Sequence, residues 1–169
     1  LGGTANSFTP VLPAFARPRK RGRPVTLTTA GSGSREEELR RLALQEGVAV
    51  RFAGSVPPPA MPRFYQEADL LLNASVVDNQ PMSILEAFAS GRPVVASRVG
   101  GLLEVVADGL TGLLVPRGDA GAMAEAAIAL LSDEAHCRRL GLAARARAQA
   151  LFTYERYVDG YAEHYRLLV

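Results

Sequence analysis

Apolar positions along the chain follow two different spacings, one typical of strands and one typical of helices. Strands are predicted by short β-branched or apolar runs at 25–30, 48–53, 69–73, 94–97 and 113–115. Helices are predicted by longer periodic stretches at 8–16, 35–45, 60–67, 81–90, 102–107, 119–131, 133–150 and 153–167. Strands and helices that alternate in this way predict a parallel, doubly wound α/β sheet with additional helices at the C-terminal end.

The start of the chain is less regular than the rest. The segment 17–24 reads RPRKRGRP and carries five basic side chains among prolines and a glycine. We interpret it as a solvated connector rather than a phosphate, membrane or nucleic-acid patch, because no aromatic residues interleave with the charges as a stacking surface would require. Residues 1–24 are therefore expected to be an irregular or degenerate start of a single domain that spans 1–169, and no nucleic acid is expected as a partner.

The composition excludes several classes of protein. With 169 residues, 48% of them hydrophobic, the chain is expected to form one soluble domain with a substantial core. No apolar run approaches the roughly 20 residues needed to cross a bilayer, and no signal-peptide pattern opens the chain. A single cysteine, Cys137, excludes an intramolecular disulfide and a cysteine-based zinc site.

Two carboxylates, Asp78 and Glu86, lie eight residues apart in DNQPMSILEAFASGRPVVAS. The tripeptide Asn79-Gln80-Pro81 is typical of a turn, and Pro81 suits the first position of a helix because its φ is fixed and its missing N–H would be unpaired there. One carboxylate thus precedes a helix and the other lies about two turns inside it. The helix N-terminus between them attracts anions. A phosphate flanked by two acceptors of sugar hydroxyls indicates a nucleotide-sugar site.

This stretch resembles the GT-B glycosyltransferases of family 4, or group 1, type. That family carries two acidic residues with seven between them, a helix reading EA-x-A-x-G and a strand reading PVVA. Asp78 holds the first acidic position, where Glu is usual, Glu86 holds the second, and 79–81 replaces the usual Gly-Phe-Gly. Gly100-Gly101 with Glu104, and then DGLTGLLV at 108–115, continue the likeness in order. The resemblance covers about residues 25–169.

The resemblance implies both a fold and a reaction. The chain would be the C-terminal, donor-binding half of a GT-B enzyme, a Rossmann-like domain that binds a nucleoside-diphosphate sugar for retaining transfer to an acceptor hydroxyl. Such an enzyme positions its substrates and stabilises charge without a protein nucleophile. Donor metal ions are usually dispensable in the family, so neither a cofactor nor a metal site is expected.

The same resemblance implies partners and a location. The nucleotide sugar is the expected ligand, and an N-terminal acceptor-binding domain that this chain lacks is the expected protein partner. On its own the chain would be half of an enzyme and inactive. We expect a cytoplasmic protein, and any association with the inner face of the membrane would come through the acceptor.

The resemblance also suggests roles for individual residues. Glu86 would accept from ribose hydroxyls and Asp78 from hydroxyls of the donor sugar, which makes these two the catalytic candidates. The backbone at 81–83 would bind the diphosphate, and the segment after Gly54 would meet the nucleobase. The donor-binding candidates are Gly31, Gly33, Ser55, Val56, Asp78, Asn79, Gln80, Pro81, Met82, Ser83 and Glu86. A tight structural turn is an alternative explanation for Gly31 and Gly33.

The chain departs from the family at its amino end. The family's donor half begins with a strand that ends in Arg and is followed by Lys, and both neutralise the leaving diphosphate. Alignment through Ala14-Phe15-Ala16 places the lysine position near Asn6 or Ser7, and no arginine precedes Arg17. Arg98, on a loop at a strand's carboxyl end, is a candidate substitute.

Two other classes of protein stay open at this point. The chain could be a module that binds nucleotide sugars without transferring them, having lost the phosphate cations. It could also be a nucleotide-sugar epimerase of the same fold, although such an enzyme needs acid and base groups that face the sugar and only Asp78 is a candidate. The presence of an acceptor-binding half upstream of Leu1 would indicate a transferase rather than a binding module.

Overall fold

The computed structural model describes residues 9–16, 25–79 and 81–167. The strands are β1 (Thr26–Thr29), β2 (Ala49–Phe52), β3 (Leu71–Asn73), β4 (Val94–Ser97) and β5 (Gly112–Val115). The helices are α1 (Val11–Ala16), α2 (Glu36–Glu46), α3 (Met61–Gln66), α4 (Met82–Ala89), α5 (Leu102–Val105), α6 (Ala120–Ser132), α7 (Glu134–Leu151) and α8 (Tyr154–Arg166), with a 3-10 turn at Pro58–Ala60 before α3. The predicted elements are all present within a few residues of their expected bounds. The basic segment 17–24 and the positions Asn6 and Ser7 lie outside the described residues.

All strand pairs among the described residues are parallel. β1 pairs with β2, and a second sheet has the order β3–β4–β5. Successive parallel partners are joined through a helix, α2 between β1 and β2, α4 between β3 and β4, and α5 between β4 and β5. Each such connection returns the chain from the carboxyl end of one strand to the amino end of the next. The loop that follows each strand therefore lies at the carboxyl end of its sheet.

Helices cover both faces of the three-stranded sheet, whereas β1 and β2 alternate exposed and half-buried residues. One apolar cluster contains residues of α1 and α6 together with Val95 of β4. The other contains residues of α4, α5 and α7 together with Val94 and Ala96 of β4. Neighbouring residues of β4 thus point to opposite clusters, and all four residues of this strand are buried. This is the doubly wound arrangement that the alternation of strands and helices predicts.

Close packing of α7 against the turn before β4 depends on a glycine. A Cβ atom at Gly141 would lie 2.3 Å from the carbonyl oxygen of Gly91 and 3.3 Å from Cδ of Pro93. Both distances are shorter than ordinary contacts of a side-chain carbon. The helix can therefore approach this turn so closely only because position 141 has no side chain.

The last helix, α8, lies outside this core. It begins with a cap in which the Thr153 hydroxyl accepts from the backbone N–H of Arg156 at 3.3 Å, and none of its residues is buried. Its exposed apolar positions recur at helical spacing and are Tyr154, Tyr157, Val158, Tyr161 and Tyr165. No helix in the described part of the chain is both long and apolar enough to cross a membrane.

We predict that Gly141→Ala lowers the free energy of unfolding by about 1–3 kcal/mol, because the added methyl group overpacks the contact between α7 and the turn. The matched control is Gly160→Ala in α8, where a Cβ would meet no atom within 4 Å. This control should be neutral or stabilising by up to about 1 kcal/mol, since Ala favours helices over Gly. Urea unfolding followed by circular dichroism measures both variants, and a Gly141→Ala protein as stable as wild type would contradict the close packing.

Candidate active site

The two loops that follow β3 and β4 are in direct contact at the carboxyl end of the three-stranded sheet. The backbone N–H of Gly101 donates to the carbonyl oxygen of Asp78 at 3.1 Å. A Cβ at Gly100 would lie 2.3 Å from that oxygen, and one at Gly101 would lie 1.4 Å from the carbonyl oxygen of Asn79. Gly100-Gly101 therefore lets the loop that carries Asp78 and Asn79 rest on the loop after β4.

The side chain of Asp78 is oriented by residues of its own loop. At the end of β3, the buried side chain of Asn73 accepts from the backbone N–H of Ser75 at 3.0 Å. The Ser75 hydroxyl then donates to Oδ2 of Asp78 at 3.0 Å. Because a carboxylate offers about four acceptor positions, most of its capacity stays available for a ligand. Ser75 was not singled out from the sequence, and the spacing of small polar residues at 73, 75 and 78 was the signal.

The helix start at α4 differs by one residue from the prediction. Pro81 is the N-cap, with φ −70° and ψ 119°, and Met82 is the first helical residue. The extended ψ of Pro81 suits a cap, whose conformation is not yet helical. No side chain caps this helix, so the first-turn N–H groups of Met82 and Ser83 are the donors that helix geometry offers to an anion. Gln80 lies outside the described residues.

Glu86 is exposed on the second turn of α4 and is bonded to a tyrosine from a different helix. The hydroxyl of Tyr65, in α3, donates to Oε2 of Glu86 at 2.9 Å. Tyr65 is only 6% exposed. Burial above all, followed by the hydrogen bond to Glu86, raises the pKa of the Tyr65 hydroxyl well above its usual value. The phenol therefore stays protonated and acts as the donor.

Tyr65 was missed in the sequence because it occupies an apolar position of a short helix. Its ring packs in the cluster that contains Ile84 and Phe88 of α4, so the periodic pattern predicts an ordinary core residue at this position. Its hydroxyl was the only signal of a second role, since a buried phenol usually has a hydrogen-bond partner.

The other candidate residues lie on the loops that follow β1 and β2. These loops are joined by a hydrogen bond of 2.6 Å from the Gly31 N–H to the Gly54 carbonyl oxygen. Gly31 has a φ of 118°, a conformation that favours glycine in a turn. Gly33 and Ser55 are exposed, and Val56 is half-buried. The contact of these residues with a donor stays a prediction. The loop that holds Ser55 and Val56 leads through the 3-10 turn into α3.

Arg98 is engaged in a contact that argues against its suggested role at the diphosphate. Its guanidinium forms an ion pair with the carboxylate of Asp108 and also bonds the Leu114 carbonyl oxygen at 3.3 Å. Oδ1 of Asp108 in turn accepts from the Leu114 N–H at 2.9 Å. Arg98 and Asp108 thus join the end of β4 to the segment around β5. In 9–16, 25–79 and 81–167, no three His, Cys, Asp or Glu side chains are grouped so that they could hold a metal ion.

Comparison with known proteins identifies the family. The family model described as glycosyl transferases group 1 matches residues 6–133. The D-inositol 3-phosphate glycosyltransferase of Nocardia farcinica is 40% identical over 139 residues, which cover 80% of this chain and 31% of that protein. The chain thus spans about a third of the length of the curated relatives it matches.

Solved structures agree with this family and with the fold. Sucrose-phosphate synthase from Thermosynechococcus elongatus superposes with a TM-score of 0.84 at 30% identity, covering 96% of this chain and 42% of that one. Anabaena HepE, crystallised with UDP-glucose, superposes with a TM-score of 0.82 at 24% identity, covering 93% and 44%. The chain therefore belongs to the glycosyl transferases group 1 family, and its fold is the Rossmann-like half of a GT-B glycosyltransferase.

Proposed function

We propose that this chain binds a nucleoside-diphosphate sugar and forms the donor side of a retaining glycosyltransferase. The observation that carries the proposal is the pair of carboxylates on either side of the uncapped start of α4. Asp78 is oriented by Ser75, and Glu86 is oriented by Tyr65. The family membership supports this proposal, and so does HepE, a protein of the same fold that was crystallised with UDP-glucose.

The order of these groups along the chain suits one orientation of the donor. Glu86 would accept from the ribose hydroxyls, and the N–H groups of Met82 and Ser83 would bind the diphosphate. Asp78, which precedes the helix, would accept from hydroxyls of the transferred sugar. The loop with Ser55 would then meet the base. This loop leads into α3, which carries Tyr65, the residue that orients Glu86.

The reaction we propose breaks one C–O bond and forms another at the anomeric carbon. The acceptor hydroxyl attacks on the face from which the nucleoside diphosphate leaves, and its proton passes to the departing phosphate oxygen. A helix N-terminus stabilises an anion by only about 0.3–2 kcal/mol, whereas even a modest enzyme lowers the barrier by roughly 8 kcal/mol. We infer that an acceptor-binding half supplies the remaining stabilisation, and any contact with a membrane would come through that half.

A binding module without transfer is the second candidate. The observation in its favour is the ion pair between Arg98 and Asp108, since it engages the cation that the sequence suggested for the diphosphate. An epimerase has less support, because the residue described beside Asp78 is Ser75, which is a weak acid and base.

The first prediction concerns Glu86→Gln. The amide oxygen can still accept from Tyr65, so the melting temperature should change little. Affinity for a nucleoside diphosphate should fall by about 1–2 kcal/mol, the difference between charged and neutral hydrogen bonds to ribose. Calorimetric titration with UDP, GDP and ADP measures this loss, with Glu125→Gln, an exposed carboxylate of α6, as the matched control. Full affinity combined with a large drop in melting temperature would make Glu86 a structural residue.

The second prediction concerns Asp78→Asn, which keeps an oxygen for the Ser75 hydroxyl. Affinity for the nucleotide sugar should fall by about 1 kcal/mol or more, while affinity for the bare nucleoside diphosphate stays unchanged, because only the sugar would contact Asp78. The same calorimetry distinguishes the two ligands, and Asp159→Asn on α8 is the control. Equal losses for both ligands would place Asp78 elsewhere in the site.

The third prediction is that this chain alone transfers no sugar. GT-B chemistry takes place in a cleft between two domains, and closure of such a cleft excludes water and completes the site. The purified chain is incubated with labelled nucleotide sugars and a panel of acceptors that includes D-inositol 3-phosphate, the compound in the name of the relatives. Turnover that disappears in Glu86→Ala would show that one domain suffices, and the account of this chain as half an enzyme would be wrong.

A further inference from the structure

We propose that Tyr65 is a positioning residue that makes the site selective for ribose. Its hydroxyl holds the Glu86 carboxylate in the orientation that accepts both ribose hydroxyls, so that without it the site would distinguish a ribose from a sugar lacking those hydroxyls much less strongly. The inference rests on the proposed function, because it assumes that Glu86 faces the ribose of a bound nucleotide.

The contact joins a rigid donor to a flexible acceptor. The Tyr65 hydroxyl lies 2.9 Å from Oε2 of Glu86, and the two residues are 21 positions apart in the sequence. Tyr65 is 6% exposed, whereas Glu86 is exposed on the surface of α4. A free glutamate side chain samples several rotamers. A hydrogen bond to a fixed phenol restricts the Glu86 side chain to the rotamers that keep its carboxylate near Tyr65.

The phenol is fixed because α3 is held by two contacts, one with α4 and one with the turn between α4 and β4. The Tyr65 ring packs in the same apolar cluster as Ile84 and Phe88, which lie two residues on either side of Glu86 and are fully buried. At the end of α3, the guanidinium of Arg92 donates to the carbonyl oxygen of Gln66 at 2.6 Å. The position of the hydroxyl therefore follows from the packing of the two helices.

The bond leaves Glu86 able to bind a diol. A carboxylate has about four acceptor positions on its two oxygens, and Tyr65 occupies one of them. The second oxygen and the remaining position on Oε2 can accept from two neighbouring hydroxyls. Burial and the hydrogen bond to Glu86 raise the pKa of Tyr65 further above neutral pH, so the phenol keeps its proton and acts as the donor to Glu86.

The test measures how strongly the site prefers ribose. Wild type and Tyr65→Phe are titrated with UDP, GDP and ADP and with the 2′,3′-dideoxy form of each. We expect wild type to bind its preferred ribonucleotide about tenfold more tightly than the dideoxy form, as for the loss of charge-assisted hydrogen bonds. Tyr65→Phe should lose about three- to tenfold in affinity for the ribonucleotide and nothing for the dideoxy form.

Matched variants separate positioning from a general loss of structure. Tyr154→Phe removes an exposed hydroxyl from α8 and should leave both affinities unchanged. In a Glu86→Ala background, adding Tyr65→Phe should cause no further loss of ribonucleotide affinity, because Tyr65 would act only through the carboxylate. A melting curve of each variant shows whether it is folded at the titration temperature.

The outcomes are distinguishable. If Tyr65→Phe weakens the ribonucleotide and the dideoxy form equally, Tyr65 serves only the packing of α3 and the inference is overturned. It is equally overturned if the variant keeps the full ribose preference of wild type. If wild type binds a ribonucleotide but does not prefer it over the dideoxy form, Glu86 does not contact ribose. The role assigned to Tyr65 would then be wrong, whereas nucleotide binding by the chain would be supported. If wild type binds none of the three ribonucleotides, the proposed function itself is wrong.

Discussion

Burial of β4 on both faces is the constraint on which the rest of the structure depends. Its residues alternate between the two apolar clusters, so helices have to cover the strand from both sides. A strand in this position pairs with neighbours along both edges, and β3 and β5 take these places in parallel register. Parallel pairing then sets the direction of every connection and brings the loops after β3 and β4 to one end of the sheet. The candidate site therefore lies at the end of the sheet that strand polarity selects.

Close backbone contact converts this common end into a defined site. The loop after β3 approaches the loop after β4 more closely than a Cβ at Gly100 or Gly101 would allow. The two candidate carboxylates are then restrained in different ways. Asp78 is oriented by Ser75 within its own loop, over a sequence separation of 3, whereas Glu86 is oriented by Tyr65 over a separation of 21. Changes within the loop should therefore affect Asp78, and changes in the packing of α3 should affect Glu86.

The same difference explains what could be predicted from the sequence. The strands, the helices and the placement of Asp78 and Glu86 around a helix start follow from short-range patterns, because periodicity and turn chemistry act over a few residues. The Tyr65 contact depends on how α3 packs against α4. A buried tyrosine occupies the same positions in the helical pattern as any other apolar residue, so the sequence does not distinguish it. Arg98 was a candidate cation for the diphosphate, and its pairing with Asp108 could not be predicted, because that contact forms only when β5 lies beside β4. Pro81 was misplaced by one residue, since a proline suits both the cap and the first helical position.

Two carboxylates beside a proposed phosphate site look unfavourable, and under the proposed function their placement would favour one kind of ligand. A free phosphate would be attracted by the start of α4 but repelled by both carboxylates, because like charges at short range destabilise each other. A nucleoside-diphosphate sugar carries hydroxyls on both sides of its phosphates, and charge-assisted hydrogen bonds from these hydroxyls to Asp78 and Glu86 would offset that repulsion. The pair would therefore select against small anions as well as bind the donor. This selectivity requires each carboxylate to meet a hydroxyl and not the phosphate, which is why the bonds from Ser75 and Tyr65 that orient them matter to the proposed function.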